Sequence, residues 1–170
     1  MNDSFSHRYV YTPGGFRRLQ RRIAEARAAW KAVCDDNPAA LESGDTSGWH
    51  DNFAFEDNLR QLHQLGRRVR DLERVAGLAE VVPPLRAAPE RVVVGATVRL
   101  AEDDGDERLV WIAGFDDGDP PAGRISYNSP LGRALIGAEA GEVRVLRVEG
   151  RERRLEVVDL GPTPSEEGEA

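Results

Sequence analysis

Cysteine is almost missing from this chain. Cys34 is the only one in 170 residues, which excludes an internal disulfide and any zinc site built on cysteine. Histidine is scarce as well: His7, His50 and His63 are too few and too scattered for a strong metal site. No run approaches the roughly 18 consecutive apolar residues that a membrane span needs. The N-terminus, with Asp3, Arg8 and no apolar core, does not read as a signal peptide, so a cytoplasmic protein without a membrane partner is expected. Of the 23 basic residues only Lys31 is a lysine. A net charge of −7 argues against simple non-specific binding to duplex nucleic acid, although an average conceals opposed patches. With 40% hydrophobic and 31% charged residues, the chain suits one ordinary domain or two small ones.

Thr12-Pro13 supplies an N-cap followed by proline in the first turn, so a helix is expected to start there. Phe16, Leu19, Ile23, Ala26, Trp30 and Val33 then recur at alternating steps of three and four, the spacing of a coiled-coil seam. Trp30 is expected in that seam's core, and Cys34 as a small buried hydrophobe. Asn37-Pro38 predicts a kink or a restart. Residues 43–48 are dense in turn formers, and beyond them Phe55, Leu59, Leu62, Leu65, Val69 and Leu72 restore helical spacing to about Ala79. Two long helices joined by one turn make an antiparallel hairpin. A first helix of about 28 residues rises roughly 42 Å, which carries the turn far from any globular body.

Pro83-Pro84 and Pro89 mark a linker, after which the period becomes alternating. Strands are expected at 92–100, 108–113, 124–127, 143–148 and 154–158. A short helix capped at Ser129 and ended by Gly137 falls between the third and the fourth. Leu131, Leu135 and Ile136 are expected to pack it on the sheet, leaving Ser129, Pro130 and Arg133 as candidates for a partner-binding surface. The predicted class is α+β: a helical hairpin over 1–82, a proline-rich linker over 83–90, a β-rich domain over 91–160, and a disordered acidic tail over 161–170.

Charge divides the hairpin into three zones. Arg8 to Lys31 holds seven basic residues against Glu25 alone, or +6. Ala32 to Leu59 has no Lys or Arg, and Asp35, Asp36, Glu42, Asp45, Asp51, Glu56 and Asp57 give −7. Arg60 to Arg74 has five arginines against Asp71 and Glu73, or +3. One reading is a solvated rod with a solvated turn. The other is a probe whose acidic turn reaches a site holding a divalent cation, while its basic stem, with Arg17, Arg18, Arg21 and Arg22 as a patch, faces RNA or an acidic wall. Carboxylates are hard oxygen ligands suited to magnesium.

These residues resemble the GreA/GreB family of bacterial transcript-cleavage factors. The likeness is carried by Val94-Gly95-Ala96-Thr97-Val98, by Ile125-Ser126-Tyr127-Asn128-Ser129-Pro130 and by Leu131-Gly132-Arg133-Ala134-Leu135-Ile136-Gly137, and more weakly by 12–19 and Arg70-Asp71-Leu72-Glu73. The resemblance implies an N-terminal antiparallel coiled coil and a C-terminal FKBP-like domain. It implies docking at the secondary channel of bacterial RNA polymerase, with the coiled coil inserted toward the catalytic magnesium and the RNA 3′ end. The factor itself would be a monomer and not an enzyme. Tip acids would help hold a second magnesium jointly with the polymerase, whose own active site cleaves backtracked RNA.

On this resemblance Asp45 matches the first tip acid of the family's Gly-Asp-x-x-Glu-Asn, and Asp51-Asn52 matches the Glu-Asn pair with a shorter acid. Three residues are added between them. The lengthened turn leaves two outcomes open: retained cleavage stimulation, or a regulator that occupies the same channel without stimulating cleavage. Trp49 is expected either to stack on a partner or to fold over the turn against Phe53 or Phe55, and His50 either to move a proton or to be a surface group. A prolyl isomerase would need Trp111, Phe115 and Tyr127 to line an apolar pocket, and a purely structural coiled-coil adaptor would not bind the polymerase.

Overall fold

The computed structural model describes residues 9–42, 52–102, 105–148 and 150–165. The element order is β1 (Tyr9–Tyr11), α1 (Pro13–Glu42), α2 (Asn52–Gly77), β2 (Ala79–Val81), β3 (Thr97–Glu102), β4 (Glu107–Ala113), β5 (Arg124–Ser126), α3 (Pro130–Leu135), β6 (Val143–Val148) and β7 (Arg151–Gly161). The chain forms two compact units. One is built from residues 19–77, and the other from residues up to Arg18 together with those from Leu78 onward.

The helical unit is the body of α1 and α2. Arg27 bonds Glu73 at 2.8 Å, and Trp30 lies against Gly66, so positions advancing on one helix meet positions retreating on the other: the pair is antiparallel. Leu19, Ile23 and Ala26 of the expected seam are buried, and Val69 faces them from α2. Trp30 departs from the expectation at 39% exposed, and Cys34 is only half-buried. Two helices enclose one stripe each, and an indole too wide for that stripe overhangs it, resting on the glycine opposite. The expected restart at Pro38 does not occur: α1 runs on to Glu42. A proline removes one amide from the ladder, and the helix carries through that single loss.

In the β unit, a five-stranded sheet has the order β5-β4-β3-β7-β6, all neighbours antiparallel except the parallel pair β4 and β5. Alternation sends Val98, Leu100, Val110 and Ile112 inward and Arg99 and Leu109 outward. On β7 the inward residues are Leu155, Val157 and Leu160, a step of two and then of three. The register shift opposite Arg99 and Leu100 explains this, because Val158 is the extra residue of a bulge that restores the inward parity. The helix α3 closes the core with Leu135, fully buried.

The β unit also differs from the expected boundaries. β1 and β2 pair in parallel, Tyr9 opposite Ala79, so these segments are not part of the hairpin expected over 1–82. Val10 accepts from the Phe115 amide at 2.9 Å and joins the β core. The expected strand at 92–100 begins at Thr97, because Gly95 turns the chain at φ 94°. Gly161 belongs to β7, while Pro162 accepts from the Thr97 hydroxyl at 2.8 Å and Thr163 bonds Leu85 at both backbone and side chain. The expected disordered tail therefore starts no earlier than Glu166, and residues 166–170 lie outside those described.

Candidate functional site

Thr12 caps α1 as its sequence predicts. Its hydroxyl accepts from the Gly15 amide at 3.1 Å and its carbonyl from Phe16 at 2.9 Å. The four arginines of the candidate basic patch occupy the next turns. Arg17 and Arg21 are exposed and one helical step of four apart, with Arg22 half-buried beside them. Arg18 is not on that patch: Nε and Nη2 of its guanidinium donate to the two carboxylate oxygens of Asp117 at 2.7 and 2.6 Å. Nothing in local spacing connects two residues 99 positions apart, and the only sequence signals are an acidic loop and a Gly14-Gly15 pair at a helix start.

The helices that flank the turn end at Glu42 and begin at Asn52, so residues 43–51 connect them. Asp45 and Asp51, the predicted metal ligands, lie outside the described residues, as do Trp49 and His50. Asn52 is the first residue of α2. The donor chemistry of this segment fits magnesium in kind, since both acids offer hard oxygen and two carboxylates leave positions for phosphate and water. Among the described residues no group of three or more His, Cys, Asp or Glu is arranged to hold a metal ion.

The candidate partner surface sits at α3. The Ser129 hydroxyl accepts from the Gly132 amide at 3.0 Å as the N-cap, and Pro130 follows at the first helical position. Gly132 leaves no room for a side chain, because a Cβ there would lie 2.2 Å from the Ser126 carbonyl oxygen. That close approach seats the helix on the strand end, with Pro130 and Arg133 exposed and Leu131 and Ile136 packed against the core. The preceding loop is bracketed by Asn128, whose amide donates to Asp116 and accepts from its backbone, both at 3.1 Å. Asp116 adopts φ 48°, a left-handed conformation that short polar residues tolerate.

The three aromatics of the isomerase reading do not line one pocket. Trp111 alternates to the opposite face of β4 from Ile112, where the Arg18 guanidinium lies 5.6 Å from its ring centroid. Phe115 packs edge-on with Tyr9 at 4.8 Å, and Tyr127 lies 6.4 Å from Phe115 with its hydroxyl receiving the Val10 amide at 3.5 Å. Burial pushes the Tyr127 phenol up from its ordinary range, the Val10 hydrogen bond opposing the shift. Phe115 and Tyr127 are thus engaged with β1, through the Tyr9 ring and the Val10 amide, on contacts that Trp111 does not share.

The family described as "Transcription elongation factor, GreA/GreB, C-term" matches residues 87–162. Transcription elongation factor GreA of Sphingopyxis alaskensis is 35% identical over 123 residues, covering 72% of this chain and 76% of that protein. This chain belongs to the GreA/GreB family of transcription elongation factors. GreB of Neisseria meningitidis serogroup B is likewise 35% identical, over 83% of this chain and 86% of its own. Among solved structures, the GreA factor homolog 1 of Thermus thermophilus covers 91% of this chain and 99% of its own at 21% identity, with a TM-score of 0.42. The relatives named here as GreA and GreB are called transcription elongation factors. Among the described residues no helix is long and apolar enough to cross a membrane.

Proposed function

We propose that this GreA/GreB-family chain acts in the cytoplasm as a monomeric factor, binds bacterial RNA polymerase at its secondary channel, and stimulates cleavage of backtracked RNA. The observation that supports the reading is the antiparallel pairing of α1 and α2, whose connecting residues include Asp45 and Asp51 in the sequence. Asp45 and Asp51 fall in the only connection between two paired antiparallel helices, in a chain of this family, beyond a stem that carries Arg17 and Arg21 exposed. Ser129, Pro130 and Arg133 would face the polymerase at the channel mouth. The turn would bring its acids beside the polymerase's own ion and the RNA 3′ end.

Asp45 and Asp51 would supply oxygen ligands to a magnesium ion shared with the polymerase, and Asn52 would orient them or the scissile phosphate. When bound, such an ion supplies an activated water and neutralises charge on the phosphodiester. The chain's own contribution would be delivery of the two acids. Two carboxylates alone make a weak site, so the ion is held jointly and not by the free factor.

A second reading rests on the three additional residues between Asp45 and Asp51. Magnesium demands near-octahedral geometry, so a displaced carboxylate converts the factor into a channel-occupying regulator that does not stimulate cleavage. Cleavage by a stalled elongation complex, with and without the factor and in competition with an active cleavage factor, separates the readings. Acceleration supports the first, competition without acceleration supports the second, and neither acceleration nor competition removes both.

A further inference from the structure

The function proposed above makes no use of the contact between Arg18 and Asp117, and its construction is unusually complete. Thr12 to Arg18, the root of α1, belongs to the β unit. Thr12, Gly14 and Gly15 are buried there. The Asp117 carboxylate stands directly over the root: a Cβ on Gly15 would lie 2.7 Å from its Oδ2, so glycine is what admits it. Arg18 then grips both carboxylate oxygens in a fork, with side chains only 15% and 6% exposed. Arg124 supports the loop from behind, its Nε donating to the Asp117 carbonyl at 3.0 Å and its Nη2 to Asp119 at 3.4 Å. The Trp111 ring backs the Arg18 guanidinium on another side.

Two adjacent glycines are poor choices for the first turn of a helix, because each loses more backbone freedom on folding than any other residue. A root built on them needs an external anchor, and a buried forked ion pair is better suited to specifying one geometry than to adding net stability. The geometry points to Asp117 as a positioning residue: through Arg18 it clamps the root of α1 into the β unit, so that the rod carrying Asp45 and Asp51 starts from a fixed base. The consequence for cleavage rests on the proposed function, and the clamp itself does not.

Two measurements on the full-length protein test this, using Arg18→Ala, Asp117→Asn, their double variant and Gly15→Ala. Amide exchange in the free factor is expected to rise by about tenfold or more at residues 16–20 in each variant, while β3 and β7 stay within about twofold. The double variant should exchange no faster than the worse single, since both remove one interaction. In the cleavage assay the maximal rate should fall by about fivefold or more, with the half-saturating factor concentration moving less than about twofold. Gly15→Ala is the decisive variant if the charge variants fold poorly: alanine favours the helix, yet its Cβ displaces the carboxylate. Unchanged root exchange overturns the clamp, and faster root exchange with an unchanged maximal rate, in a factor that stimulates cleavage, overturns its positioning role. If the unaltered factor does not stimulate cleavage, the proposed function fails, and root exchange and its non-additivity alone decide the clamp.

Discussion

In the β unit Val92, Val98, Leu100, Ile112, Leu135, Leu155 and Val157 are all at 0% exposure, whereas in the body of the helical unit Ile23 and Val69 reach 9% and Trp30 and Leu59 remain about two-fifths exposed. The contrast follows from geometry. A curled sheet closed by α3 encloses side chains contributed by several strands, but two paired helices enclose only the stripe each turns to the other. The β unit is therefore where the chain stores its packing, and the helical unit is where it keeps surface available. The proposed insertion into a protein channel is consistent with that economy, because a two-helix rod with exposed arginines and a half-open seam carries no wide core.

The contrast is broken most severely by emptying the β core. Ile112→Ala removes most of a fully buried side chain from between β3 and β5 and is expected to destabilise by about 3 to 4 kcal/mol in chemical denaturation. Gly132→Ala should follow at about 2 kcal/mol or more, since the new methyl meets backbone 2.2 Å away and α3 must lift from the strand end. The same truncation at Trp30 should lower stability by only about 1 kcal/mol, well under the cost of a buried tryptophan, because two-fifths of the residue is already in water. A loss equal to that of Ile112→Ala would show that the rod has a core of its own.

The smallest effect is a dependence on pH in the alkaline range. Burial raises the Tyr127 phenol above its unfolded value of 10.0, so the unfolded chain ionises first. The stability that this residue contributes is complete below that pH and declines as pH rises toward its folded value. Tyr127→Phe should remove that component from an alkaline denaturation series, and an unchanged slope would mean that the phenol is not held neutral by the fold.

Local signals carried much of the architecture. Thr12-Pro13 announces α1, Ser129-Pro130 and Gly137 bracket α3, and alternation locates β4 and β6 to within a residue. What could not be read joins distant positions. The parallel pairing of Tyr9 with Ala79 has no short-range signature, and it moves both segments from the hairpin into the β unit. The bulge at Val158 depends on what lies opposite it on β3, not on its own neighbours. Trp30 occupies a seam position by spacing, yet its exposure depends on the width of the helix opposite. Arg18 shares a helix segment with Arg17, Arg21 and Arg22, and only the fold shows that a carboxylate from 99 residues away has claimed it. Asp45 and Asp51 are the reverse case: they are legible as chemistry in the sequence and lie outside the described residues.

The account stands on the delivery of two carboxylates to another protein's active centre. Its most direct test is the rate of RNA 3′ cleavage in a stalled elongation complex as the factor is titrated, comparing the unaltered chain with the Asp45→Asn, Asp51→Asn double variant. Saturable acceleration by the unaltered chain is predicted, with the double variant displacing it at a similar concentration while leaving the rate at the level of polymerase alone. Equal acceleration by both would contradict the account.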